Sequence, residues 1–160
     1  MGKELKTNAM RFLDKNSIPY KVSTYECKEF IDGISVAEKL GQPLEITFKT
    51  LVAKGKSCSY YCFVIPVASE LDLKKAASSV DEKSVELIAV KDITKITGYV
   101  RGGCTAIGMK KQFMTVIYSS AENLDTFCIS GGRIGTQIEL SPKALADSIG
   151  AKFDDICTVK

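Results

Sequence analysis

Apolar positions along this chain recur first at helical spacing and then at strand spacing, with the period switching several times. Leu5, Ala9, Phe12 and Leu13 share one face of a helix predicted over residues 3–16, with Lys3, Glu4, Lys6, Arg11 and Asp14 elsewhere on its surface. Asn16-Ser17 and Pro19 end it. Residues 20–25 alternate as a strand does, and residues 34–40 form a short helix closed by Gly41. From Phe48 the β signal dominates. Residues 48–53 predict a strand, Lys54-Gly55-Lys56 a turn, and the apolar, aromatic and β-branched run 60–67 a central strand, so the pair reads as a hairpin. Ser69-x-x-Asp72 resembles a capping box, with Asp in place of Glu. It leads into a helix carrying Leu71, Leu73, Ala76, Ala77 and Val80. Strands are predicted over 85–90, 113–118, 127–129 and 136–140, with a helical turn over 92–96. Ser141-Pro142 supplies an N-cap with proline at the first helical position, and the helix it starts ends at Gly150.

This order is not a regular alternation of strand and helix. It predicts an α+β domain with a mixed or antiparallel sheet. The length of 160 residues fits one domain, residues 1–160, and no repeat, linker or low-complexity tract interrupts it. With 22 Lys and Arg against 19 Asp and Glu, the net charge of +3 is too small for a general nucleic-acid binder but leaves room for a local basic patch. No apolar run approaches the roughly 20 residues needed to span a bilayer, and the N-terminus has no apolar signal core. The expected location is the cytoplasm, with no membrane partner.

The chain contains no histidine. That excludes a Ser-His-Asp or Cys-His relay, a His metal ligand and a His proton shuttle. Catalysis near neutral pH falls to Lys, Tyr, Cys, a carboxylate, backbone dipoles or the substrate. The six cysteines, Cys27, Cys58, Cys62, Cys104, Cys128 and Cys157, form no CxxC pair. Cys58 and Cys62 stand alone as CxxxC, so no metal site is expected, and the thiols read as small buried apolar groups.

Two glycine loops are the candidate chemistry: Gly98 to Gly108, containing Arg101-Gly102-Gly103-Cys104, and Ser130-Gly131-Gly132-Arg133-Ile134-Gly135. Glycine lets backbone N–H groups approach a ligand and hold a carbonyl or a developing oxyanion. The same loops also read as tight turns between strands, and neither has Walker A or dinucleotide spacing. Lys49 precedes an apolar strand, where it either snorkels to water or binds an anionic group. Lys110-Lys111 reads either as a solvated face or as a phosphate contact, with Arg101, Arg133, Lys54 and Lys56 as possible neighbours.

Several motifs occur in order: Phe48-Lys49-Thr50-Leu51, Phe63-Val64-Ile65-Pro66, Leu71-Asp72-Leu73-Lys74-Lys75, Gly98-Tyr99 with the loop from Gly102 to Gly108, Ser130-Gly131-Gly132, and Ile138-Glu139-Leu140-Ser141-Pro142. Over nearly the whole chain this resembles the YbaK/EbsC family of aminoacyl-tRNA deacylases. These are free-standing relatives of the editing domain of bacterial prolyl-tRNA synthetase. The subfamily most similar removes cysteine from tRNA(Pro). The resemblance implies a mixed, partly barrel-like sheet with flanking helices and an enzyme without a cofactor. It implies aminoacyl-tRNA, here tRNA(Pro), as substrate and prolyl-tRNA synthetase as a partner. It puts catalytic roles on Lys49, Thr50 and Gly102, and substrate binding on Tyr25, Gly103, Ser130, Gly131, Gly132 and Gln137. In such enzymes the substrate thiol attacks its own ester. The chain departs from the family's pattern at Thr105-Ala106, where Ser-Pro is usual, at Arg133-Ile134-Gly135, where Lys-Arg-Gly is usual, and at Gln137, where an aspartate is usual. Three alternatives stand beside this reading: water-mediated hydrolysis of Ala-tRNA(Pro), a module that binds tRNA or a synthetase without chemistry, and a redox protein using Cys104.

Overall fold

The computed structural model describes residues 6–26 and 32–158. The elements run α1 (Asn8–Lys15), β1 (Lys21–Thr24), α2 (Gly33–Leu40), β2 (Phe48–Gly55), β3 (Tyr60–Pro66), α3 (Leu73–Ser79), β4 (Val85–Leu87), α4 (Ile93–Thr97), β5 (Met114–Tyr118), β6 (Phe127–Ser130), β7 (Thr136–Leu140), α5 (Pro142–Ile149) and β8 (Lys152–Asp154). The start of the expected first helix, with Leu5, and also Cys27 lie outside the described residues.

The strands form two sheets. The larger has the order β4-β2-β3-β5-β8, antiparallel around the β2–β3 hairpin and parallel from β3 through β5 to β8. The smaller, β1-β7-β6, is antiparallel throughout. The α+β expectation is borne out. The sheets do not close into a barrel. One parallel bridge, Thr47 to Cys128, joins them, and Phe48 packs edge-on to Phe127 at 5.2 Å beside it.

β3 is central, and its unbroken apolar run follows from burial on both faces. Val64 faces a core with Phe48, Ile117, Phe127, Ile138 and Leu145, where α1 and α5 pack. Phe63 and Ile65 face a second core with Ala76, Val80 and Val116, covered by α3.

The helix boundaries show how far local signals reach. Ser141 accepts from the Ala144 N–H and Gly150 ends α5 in the left-handed region, as the sequence predicts. Gly41 closes α2 in the same way. At α3 the cap is displaced by one turn. Asp72, not Ser69, is the N-cap, accepting from the N–H groups of Lys74 and Lys75. A carboxylate aimed at two N–H groups of the first turn outcompetes the hydroxyl upstream. The strand expected over 85–90 stops at Leu87, where the ladder with β2 ends after three pairs, and residues 90–92 turn as a 3-10 helix.

Candidate functional site

That early ending of β4 makes the site. β4 pairs only with Ala53, Lys54 and Gly55, so the first half of β2 has no strand beyond it on that edge among the described residues. A cavity of about 480 Å³ opens there. Its walls are β2 from Phe48 to Val52, the start of α2, residues 87–93, the Arg101-Gly102 turn with Cys104, Tyr25, and the Ser130/Thr136/Gln137 end of the small sheet.

Six of the sequence-predicted site residues meet in this one cavity: Tyr25, Lys49, Thr50, Gly102, Ser130 and Gln137. They come from five places along the chain: the end of β1, β2, the first glycine loop, β6 and β7. The ladders explain how: Gln137 lies on β7 between Ser23 of β1 and Ser130 of β6, and the Tyr25 N–H donates to the Gly135 carbonyl at 2.9 Å. Gly103, Gly131 and Gly132 do not line the cavity. They lie behind it, where the two loops touch. A Cβ on Gly103 would sit 2.8 Å from the Arg133 Cα, one on Gly131 would meet Thr136, and one on Gly132 would meet Thr7. The Thr7 hydroxyl donates to the Gly131 carbonyl and pins the second loop to the start of α1.

The polar groups in the walls are unevenly satisfied. Thr50 Oγ1 and Gln137 Oε1 are buried and have no hydrogen-bond partner among the described residues. Lys49 is half-buried, and no ion pair reaches it among the described residues. The Ser130 hydroxyl accepts from the Gly132 N–H at 3.2 Å, holding the loop. Asp32 and Cys104 also line the cavity. Asp32 caps α2, and the Ser35 N–H holds its carboxyl below the usual range, so it is a weak base. Burial pushes the Cys104 thiol up to about 11, so it is a neutral thiol near pH 7 and not a ready nucleophile. Cys62 below it, deeply buried, is also pushed up, with Cys104 nearby adding to the effect. This counts against redox chemistry at Cys104.

Asp32 and the apolar rim of Ile88, Val90 and Ile93 were not among the expected site residues. Asp32 did carry a signal, an Asx residue directly before a helix. The rim carried none, because it depends on where β4 stops. Among the described residues no group of three His, Cys, Asp or Glu side chains could hold a metal ion, and no helix is long and apolar enough to cross a membrane.

Residues 33–148 match the aminoacyl-tRNA editing domain, a span that contains β2, both glycine loops and all but Tyr25 of the six converging residues. The chain belongs to that family. This editing domain is 42% identical, over 154 residues, to a protein of Enterococcus faecalis provisionally named a Cys-tRNA(Pro)/Cys-tRNA(Cys) deacylase, EbsC. The match covers 96% of this chain and 94% of that one. A crystal structure provisionally described as a trans-editing enzyme for prolyl-tRNA synthetase is similar, with a TM-score of 0.83 at 21% identity over 98% of this chain and 100% of the other. A hypothetical protein matches with a TM-score of 0.86 at 20% identity, over 94% and 99%. At such identities the solved structures show the shared fold. The family bears out the resemblance read from the motifs, and it makes the chain an enzyme of the aminoacyl-tRNA deacylase class.

Proposed function

We propose that the cavity holds the 3′-terminal aminoacyl-adenosine of mischarged tRNA(Pro), that cysteine is the preferred charge, and that the substrate's own thiol cleaves the ester. The observation that carries this reading is the pair of buried, unpartnered oxygens, Thr50 Oγ1 and Gln137 Oε1, in one cavity with Lys49 and the Gly102 turn. A buried polar atom without a partner costs about 1–3 kcal/mol, so such atoms in a cavity wall favour a ligand that supplies hydrogen bonds. An aminoacyl ester does so. Its α-ammonium donates to the Gln137 amide oxygen, and a ribose hydroxyl donates to Thr50. The Lys49 ammonium lies against the ribose or the terminal phosphate. The main chain at Gly102 positions the ester carbonyl, and Tyr25 and Gln137 bound the amino-acid side chain.

Among the described residues the cavity offers no strong nucleophile or base of its own. The Cys104 thiol stays protonated, the Asp32 carboxyl is held low, and the chain has no imidazole. A cysteinyl substrate brings its own nucleophile. Its sulfur attacks the ester carbonyl carbon, a C–S bond forms, the C–O bond to the ribose breaks, and the thiol proton ends on the departing ribose oxygen. The products are free tRNA and a cyclic thioester. Holding sulfur and carbonyl in near-attack geometry contributes several kcal/mol, on the order of what oriented intramolecular reactions show. Prolyl-tRNA synthetase is the proposed partner, because a domain of net charge +3 has little means to select tRNA(Pro) alone.

Methylating the substrate sulfur tests the step. S-methylcysteinyl-tRNA(Pro) should be cleaved at least about 100-fold more slowly than Cys-tRNA(Pro), the loss expected when an oriented nucleophile is removed. Equal rates would contradict the thiol step and leave water-mediated hydrolysis, as in Ala-tRNA(Pro) deacylation.

A further inference from the structure

The net positive charge of this chain is concentrated in one segment. Residues 91–111 hold five of its 22 Lys and Arg and one of its 19 Asp and Glu, so the remainder carries 17 cations and 18 anions. The five are Lys91, Lys95, Arg101, Lys110 and Lys111, and all are exposed. The fold draws them together. Lys91 lies in the turn that leads into α4, and Lys95 lies on α4 itself. The loop after α4 returns to it, so that the Lys110 ammonium donates to the Lys95 carbonyl at 3.4 Å and the Lys110 stem lies over Gly98. Among the described residues no carboxylate pairs with any of the four lysines.

This segment also borders the cavity. Val90 and Ile93, either side of Lys91, line it, and so do Arg101 and Gly102. A run of exposed cations continuous with the mouth of a cavity matches a polyanion whose end enters that cavity. We propose that residues 91–111 are the track for the phosphodiester backbone of an RNA strand whose 3′ end occupies the cavity. The proposal rests on the functional reading above. It adds that the strand enters along α4 and the first glycine loop, and that electrostatic contact there supplies affinity without reading sequence.

Fluorescence anisotropy of uncharged tRNA binding tests the track, and deacylation kinetics test the reading beneath it. The probe protein is the variant Lys95→Gln/Lys110→Gln/Lys111→Gln, with Lys74→Gln/Lys143→Gln, on exposed positions of α3 and α5, as the control. Thermal melts establish that both variants are folded. Loss of three phosphate contacts should weaken tRNA binding by about tenfold or more at low salt and reduce the slope of log affinity against log salt by about 2. Cleavage of aminoacyl-adenosine, which has no phosphates, should be unchanged, and the control should behave as wild type. Unchanged tRNA affinity and salt slope would overturn the track. So would an equal loss on aminoacyl-adenosine, which would make these lysines part of the cavity. A loss seen only when a synthetase is present would overturn it in favour of a protein contact. Wild-type protein that binds tRNA with the expected salt slope but cleaves neither substrate would contradict the deacylase reading and leave the track standing.

Discussion

Replacing Lys49 with alanine should slow single-turnover deacylation of Cys-tRNA(Pro) by about 10²–10³-fold while leaving the fold intact. That is the usual range for removing one preorganised electrostatic group that faces a reacting centre. The geometry supports the assignment. Lys49 sits on the half of β2 that β4 leaves uncovered, lines the cavity, and forms no ion pair among the described residues. Its charge is therefore not used to stabilise the fold. The stem is only half-buried, so truncation removes little packing. Arginine should not restore the rate, because its planar fork places charge differently from a compact ammonium. Rate and thermal melt are measured together. A normal melting temperature with the rate reduced places Lys49 in the site, and an unchanged rate removes it.

The second large effect is on stability. Gly108 ends the first glycine loop at φ +71, and a Cβ there would lie 2.7 Å from both the Asn8 carbonyl carbon and the Tyr99 hydroxyl oxygen. Tyr99 is buried and donates to the Ile107 carbonyl at 2.7 Å, so it cannot swing aside without losing that bond. Gly108→Ala combines left-handed backbone strain, about 1–2 kcal/mol, with overpacking, typically about 1–3 kcal/mol. Together these amount to roughly 2–5 kcal/mol, and at about 2–4 °C per kcal/mol for a chain of this size the melting temperature should fall by roughly 4–20 °C. Gly150→Ala separates the two contributions. Gly150 has φ +69, but nothing stands within 4 Å of its Cβ position, so only the strain applies and the loss should stay near 1 kcal/mol. Equal effects at the two positions would show that the loop does not pack against α1 as described.

Much of the fold was legible because it rests on local chemistry. The α5 cap at Ser141 with Pro142 following it, the Gly41 stop and the apolar run of β3 each follow from a few adjacent residues. What was not legible depended on partners distant in sequence. β8 is three residues long and exists because β5 offers it an edge. β4 is shorter than its apolar run because its pairing with β2 ends, and that ending opens the cavity. At the site, the glycine loops and Lys49 stood out by residue type, and the family resemblance implied Thr50, Tyr25, Ser130 and Gln137 before the convergence of the six was visible. Gly103 of the first loop and Gly131 and Gly132 of the second had the same local signature. They serve the approach of loop to loop and of loop to α1, which spacing alone does not separate from ligand contact. The missing histidine, at first only an exclusion, fits a cavity whose groups among the described residues are a protonated thiol, a capped carboxylate, hydroxyls, an amide, an ammonium and a guanidinium.

Removal of cysteine from tRNA(Pro) is the activity proposed for this cavity. The most direct test incubates the protein with Cys-tRNA(Pro), Ala-tRNA(Pro) and Pro-tRNA(Pro) and follows the ester that remains. Rapid loss of the cysteinyl ester, with slower loss of the alanyl ester and an intact prolyl ester, is the result predicted. Survival of all three esters alongside normal tRNA binding would contradict it and make the chain a binding module.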